Sequence, residues 1–110
     1  MSVIHVNNDE EFKKVIEGAG DKRVIVKAST SWCQPCKRIA PFFEKLAEEY
    51  SDTVYVAIDT IDEDEFEDTI IDINIRAFPT FVLIFEGEEV KRVVGTDKDE
   101  LRLLAKMGAK

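Results

Sequence analysis

The chain has 110 residues, a length that suits one compact domain, and we expect a single domain over residues 1–110. The formal charge of -8 argues against a nucleic acid or an anionic membrane as a partner. No apolar run approaches the ~20 residues that span a bilayer. We see no signal peptide, and two cysteines are too few for a secreted disulfide scaffold, so we expect a reducing, cytoplasmic compartment.

Strand and helix patterns alternate in the first half of the chain. Val3–Val6 has the pattern of a short edge strand, and a helix with its N-cap in Asn8–Asp9 follows it. Val24–Ala28 is a β-branched run without alternation, which is typical of a central strand buried on both faces. Lys37–Tyr50 has helical spacing, and we expect Pro41 to kink that helix.

An acidic segment follows the next strand. Val54–Ile58 is an apolar strand, and Asp59–Asp72 is predicted to be a loop that runs into a helix. Phe66, Ile70 and Ile71 are expected to face inward from that helix. The acidic residues favour a solvated loop and helix start, although a role in partner selection is the alternative.

A hairpin and a helix complete the chain. Thr80–Phe85 and Val90–Val94 are predicted strands, joined by a turn at Glu86–Glu89, and Asp97–Lys106 is the last helix. The order is therefore βαβαβαββα. Such an order predicts an α/β fold with parallel strands at the centre and an antiparallel hairpin at one side.

The two cysteines stand in the segment WCQPCK, and three interpretations of them are open. A closed zinc site needs four ligands, whereas Cys33, Cys36 and His5 offer three. A static structural bridge over two residues constrains little of the unfolded chain. A reactive pair fits best, because the segment follows a strand and opens a helix, whose N-terminus favours a thiolate at Cys33.

Several motifs give this chain its resemblance to the thioredoxin family. They are WCQPCK, Pro41 five residues after Cys36, the segment Phe78-Pro79-Thr80, and glycines at Gly87 and Gly95. The resemblance covers about residues 3–107. It implies a thioredoxin fold, in which a central five-stranded mixed sheet is flanked by four helices.

The resemblance also implies roles for individual residues. Cys33 is similar to the attacking cysteine and Cys36 to the resolving one, and Pro79 is expected to follow a cis bond. The implied docking surface consists of Trp32, Gln34, Pro35, Ala77, Phe78 and Gly95. From the residues alone, ordinary packing of Trp32 and a trans turn at Phe78-Pro79 remain alternatives.

One position departs from the family pattern in a way that concerns the chemistry. Thioredoxins usually carry a buried aspartate six residues before the first cysteine, and this chain has Lys27 there. In one interpretation the ammonium leaves the apolar strand and pairs with an acid such as Asp59. In the other it stays near Cys36, where a cation favours the thiolate and a neutral lysine accepts its proton.

Two smaller departures lie close to the cysteines. Gln34 replaces the family's usual glycine between the cysteines, where residues tune the redox potential. Ser29-Thr30-Ser31 stands where the family often has a tryptophan and an acid, and it is expected to alter the rim of the site.

The resemblance implies a thiol-disulfide oxidoreductase that reduces protein disulfides through a Cys33/Cys36 dithiol-disulfide cycle. It implies disulfide-containing protein substrates and an NADPH-dependent thioredoxin reductase as electron donor. We expect no cofactor or metal in the chain itself, and a monomer. Two alternatives stand beside this reading: a disulfide isomerase or oxidant of the same fold, and a thioredoxin-like binding module without turnover.

Overall fold

A computed structural model describes residues 3–109 of the protein. Residues 1, 2 and 110, which the predicted domain includes, lie outside the described part. The strands are β1 (Val3–His5), β2 (Val24–Ala28), β3 (Val54–Ile58), β4 (Thr80–Phe85) and β5 (Glu88–Val94). The α-helices are α1 (Asp9–Gly18), α2 (Gln34–Glu49), α3 (Glu67–Asp72) and α4 (Lys98–Gly108), and a 3-10 turn at Asp64–Phe66 precedes α3.

The five strands form one mixed sheet in the order β1-β3-β2-β4-β5. Strands β1 and β2 both pair with β3 in parallel, and the hairpin β4-β5 joins the other side of β2 in antiparallel pairing. The predicted fold class is confirmed, because the sheet carries four α-helices in the expected order. No helix within residues 3–109 is both long enough and apolar enough to cross a membrane.

The central strands β2, β3 and β4 are buried on both faces of the sheet, and β2 runs through its middle. All five residues of β2 are buried, as a central strand requires. Ile25 belongs to the cluster that α2 and α4 form on one face, together with Phe43, Leu46 and Leu104. Val24, Val26 and Ala28 belong to the cluster on the opposite face, which includes Phe12 of α1 and Phe66. Because side chains alternate along a strand, Lys27 points to the same face as Ile25.

Helix α2 spans Gln34–Glu49 with Cys33 as its N-cap, so the cysteine segment opens the helix, as predicted. Two details of the sequence prediction were wrong. Strand β5 begins at Glu88 rather than Val90, because Glu86 and Gly87, with φ of 52° and 82°, make a two-residue turn. Ile71 is 75% exposed rather than inward, because α3 has only six residues and buries Thr69.

Asp9 ties α1 to α3. Its carboxylate accepts hydrogen bonds from the backbone N–H groups of Asp68 and Thr69, at 3.2 and 2.9 Å, and from the Thr69 hydroxyl. Burial raises the pKa of Asp9, but the hydrogen bonds from Thr69 and Asp68 outweigh it, and the pKa lies below its usual value. The contact holds α3, which leads into the loop that carries Phe78 and Pro79.

We expect Asp9→Asn to lower the free energy of unfolding at pH 7 by about 1 kcal/mol, because it removes a charged acceptor from two helix N-termini. A folded-state pKa below the unfolded one gives stability that is present above the unfolded value of about 3.9. This stability is lost as the pH falls through the folded-state pKa. Urea unfolding at pH 7 and below pH 4 measures both effects, with exposed Asp21→Asn as control. Equal losses at both pH values would contradict the assignment.

Candidate active site

The cysteine pair lies where β2 ends and α2 begins. Cys33 is the N-cap of α2, and its Sγ accepts a hydrogen bond from the backbone N–H of Cys36 at 3.2 Å. The two cysteines form a disulfide with a Cα–Cα distance of 5.3 Å. Pro35 stands in the first turn of the helix, where a missing N–H leaves no intrahelical bond unmade. The N-terminal end of the helix dipole and the N–H of Cys36 both stabilise negative charge on the Cys33 sulfur.

The loop before β4 lies against this sulfur. The Phe78-Pro79 bond is cis, and the carbonyl oxygen of Phe78 is 3.8 Å from Sγ of Cys33. The loop is fixed from two sides: the Thr80 hydroxyl donates to the Ala77 carbonyl at 2.7 Å, and the Gly95 N–H donates to the Pro79 carbonyl at 2.9 Å. Gly95 has a φ of 103°, which a residue with a side chain rarely adopts. The structure thus brings Cys33, Phe78, Pro79 and Gly95 together.

Trp32 forms the exposed rim of the site. Its side chain is 62% exposed, and its ring meets the ring of Phe78 edge to face with the centroids 5.7 Å apart. The indole N–H donates to Oδ2 of Asp62 at 2.9 Å, which fixes the orientation of the ring. A flat apolar surface held beside a buried sulfur suits contact with a peptide chain. Ordinary packing in the core, the alternative for Trp32, does not occur.

The remaining predicted docking residues lie around this rim. Gln34 and Ala77 are exposed. Pro35 is exposed and lines a groove of about 450 Å³ with Arg38, Ile39, Thr96 and Lys98. Among residues 3–109, no group of three or more His, Cys, Asp and Glu side chains is placed to hold a metal ion.

Lys27 lies on the inner side of the cysteine pair. Its side chain is 6% exposed, and its Nζ is 3.7 Å from Oδ1 of Asp59. The ammonium therefore pairs with Asp59, as one interpretation predicted, but it does not leave the interior. It lines a cavity of about 300 Å³ together with Cys36, Thr30 and Asp59. The other interpretation required Lys27 to stay near Cys36, and this shared cavity meets that requirement.

Two residues of the site differ from the sequence prediction. Asp62 was taken as part of a solvated acidic run, yet it holds Trp32. Thr30 was expected at the rim, but it lines the inner cavity with a buried hydroxyl that has no hydrogen-bond partner among residues 3–109. Because β2 and β3 are parallel neighbours, the segments that follow them meet at one edge of the sheet. The expected parallel pairing of β2 and β3 could therefore have placed both Asp62 and Thr30 near the cysteines.

A mixed sheet with a CxxC disulfide at a helix N-terminus, beside a cis-proline loop, defines the class of thiol-disulfide oxidoreductases. The thioredoxin family model matches residues 3–107, and the chain belongs to the thioredoxin family. It is 34% identical to thioredoxin of Callithrix jacchus over 99 residues. The matched region covers 90% of this chain and 91% of that protein.

Solved structures agree with this assignment. The short form of thioredoxin f from spinach chloroplast superposes with a TM-score of 0.89 at 36% identity, over 99% of this chain and 95% of that one. A chain in the complex of ferredoxin:thioredoxin reductase with thioredoxin f2 superposes with a TM-score of 0.88 at 30% identity. The match covers 99% of this chain and 96% of that chain. The protein is therefore a protein-disulfide reductase of the thioredoxin type, with its Cys33–Cys36 disulfide at the active-site position.

We expect Asp62→Ala to raise KM for a disulfide-bonded protein such as insulin about fivefold, because one hydrogen bond of about 1 kcal/mol that orders the docking ring is lost. We expect kcat to change little, because Asp62 makes no contact with the sulfurs. The nearby Glu63→Ala removes the same charge without touching Trp32 and is the control. An unchanged KM in Asp62→Ala, or an equal rise in both variants, would contradict the role of this hydrogen bond.

Proposed function

We propose that Cys33 attacks the substrate disulfide and that Cys36 resolves the product. The Cys33 thiolate attacks one substrate sulfur, the substrate S–S bond breaks, and a mixed disulfide forms. Cys36 then attacks Sγ of Cys33, the bond to the substrate breaks, and the substrate leaves with both electrons as a dithiol. The observation that carries this order is the position of Cys33 Sγ at the helix N-terminus, 3.8 Å from the exposed loop at Phe78.

The proposed docking surface is the rim around that sulfur. It consists of Trp32, Gln34, Pro35, Ala77, Phe78 and Gly95. The hydrogen bond that Trp32 donates to Asp62 and its edge-to-face contact with Phe78 hold this largest member in place. The bond between Gly95 and Pro79 couples the two loops of this surface. A surface with one ordered indole and little charge accepts many peptide sequences, which suits a general reductase of protein disulfides.

The proposed electron donor is an NADPH-dependent thioredoxin reductase. In this role the protein carries electrons from the reductase to protein disulfides. The resemblance of the whole chain to thioredoxins supports a dedicated reductase. The thioredoxin f2 neighbour was solved with a ferredoxin-dependent enzyme, so that class of donor is the alternative.

The positions of the two cysteines support the proposed order of attack, because Cys33 contacts Phe78 of the rim and Cys36 lines the inner cavity. In Cys36→Ser we expect a stable mixed disulfide between Cys33 and a substrate protein, since no second thiol releases it. In Cys33→Ser we expect none, because Cys36 lines the inner cavity. Non-reducing electrophoresis after mixing with oxidised insulin measures the adduct. Adducts of equal yield in both variants would contradict the order.

We expect this chain to couple insulin reduction to NADPH oxidation when an NADPH-dependent thioredoxin reductase is supplied, at least tenfold faster than with ferredoxin:thioredoxin reductase and reduced ferredoxin. Absorbance at the NADPH band and insulin turbidity measure the two sides. Cys33→Ser is the inactive control. Turnover with the ferredoxin-dependent enzyme alone would contradict the proposed donor.

The proposed location is the cytoplasm, with the chain as a monomer. The low cysteine content fits a reducing compartment. In such a compartment the Cys33–Cys36 pair is largely reduced. Acid quenching of cells followed by alkylation measures that state, and sedimentation measures the mass against 12.5 kDa for one chain. A fully oxidised pair in cells, or a stable dimer, would contradict this placement.

A further inference from the structure

A lysine lies in the core of the protein, on the wall of the cavity that Cys36 also lines. Lys27 is the fourth of the five residues of the central strand β2, and its neighbours across the sheet are Ala57 on β3 and Phe81 on β4. Its Nζ lies 6.0 Å from the ring centroid of Phe43. An ammonium in such surroundings costs free energy unless a charge or water compensates it. The cavity is the place where that compensation is available.

The compensation from Asp59 is incomplete. The Nζ–Oδ1 distance is 3.7 Å, which is an ion pair but too long for a strong hydrogen bond. Asp59 is 54% exposed, and its other oxygen contacts His5 Nδ1 at 3.1 Å. The carboxylate is thus shared with water and with a second partner. Asp59 therefore neutralises the Lys27 ammonium only in part.

The cavity has several polar side chains in its lining and has room for water. Its volume of about 300 Å³ exceeds that of several water molecules, each about 30 Å³. The Thr30 hydroxyl is buried there without a hydrogen-bond partner among residues 3–109. Ser29 and Lys37 also line it. A proton that leaves Cys36 thus has a polar route to solvent that needs no buried carboxylate.

We propose that the Lys27 ammonium stabilises the Cys36 thiolate in the resolving step, an inference that rests on the proposed roles of Cys33 and Cys36. Cys36 releases its proton to solvent through the cavity, and the thiolate attacks Sγ of Cys33. The bond between Cys33 and the substrate sulfur breaks, and its electron pair leaves with the substrate. A cation beside Cys36 favours this thiolate.

The other charges around Cys36 are few among the described residues. Lys37, on α2, is exposed at the cavity mouth. Asp59 follows β3, and behind it His5 on β1 lies 3.9 Å from Glu44 on α2. The side chains of β3 and β4 beside Lys27 are apolar. Asp59 therefore supplies the negative charge that opposes Lys27. Removal of the Lys27 charge and removal of the Asp59 charge are expected to shift the thiol–thiolate equilibrium of Cys36 in opposite directions.

The test follows the two halves of the reaction with 5,5′-dithiobis(2-nitrobenzoate) in a stopped-flow instrument. Attack by Cys33 releases one nitrothiobenzoate, and resolution by Cys36 releases the second. For Lys27→Met we expect the midpoint of the pH–rate profile for the second release to rise by about one pH unit. At pH 7 that release slows roughly three- to tenfold, because the fraction of Cys36 thiolate falls about tenfold and the greater nucleophilicity of the more basic thiolate offsets only part of the loss.

Matched variants separate charge from packing. Lys27→Arg keeps the cation and is expected to keep the profile. Asp59→Asn removes the opposing anion and is expected to lower the midpoint. Lys22→Gln, at the other end of β2 and exposed, removes one positive charge and is expected to leave the midpoint in place. If Lys27→Met does not fold, Asp59→Asn and Lys27→Arg carry the test by themselves.

The contrary outcomes are distinct. An unchanged midpoint in Lys27→Met, or a midpoint that rises or stays fixed in Asp59→Asn, would overturn the proposal. A slower second release at every pH in Asp59→Asn would instead make Asp59 the proton acceptor. If no variant released the first nitrothiobenzoate from Cys33, the proposed roles of the cysteines would fail before this inference was reached.

Discussion

The hydrogen bond from the Cys36 N–H to the Cys33 sulfur is the interaction on which the rest of the site depends. It makes a sulfur the N-cap of α2, so that negative charge on this atom meets the positive end of the helix. The apolar side chains of Phe43 and Leu46 pack the helix against the sheet and keep its N-terminal end fixed beyond the C-terminal end of β2. The core therefore serves the chemistry by holding one helix end in place.

The site has two sides with different physical characters. On the outer side, Trp32 and Phe78 form an ordered, mostly uncharged surface at the proposed docking site. On the inner side, Lys27 and Asp59 bring charge into a water-accessible cavity next to Cys36. Contacts with the substrate and control of the second thiolate are thus separated by the disulfide. Substitutions on one side are expected to leave the function of the other side intact.

The order of strands and helices was predictable because each apolar run matches the burial of its element, as in β2. The inward placement of Ile71 was not, since a six-residue helix after a 3-10 turn does not keep the expected face. The site was predictable where a motif carries it, as at Cys33 and Cys36. The residues alone left Phe78-Pro79 open between cis and trans. The contacts of Asp62 and Thr30 depend on loops that meet only when β2 and β3 pair.

The reduction potential of the Cys33–Cys36 couple tests the central claim most directly. Equilibration in graded thiol/disulfide buffers, followed by the fluorescence of Trp32, the single tryptophan, measures it. A reductase of this type is predicted to have a potential near about -270 mV at pH 7. A potential near about -180 mV or above would contradict the account, because such a pair oxidises or isomerises substrates instead.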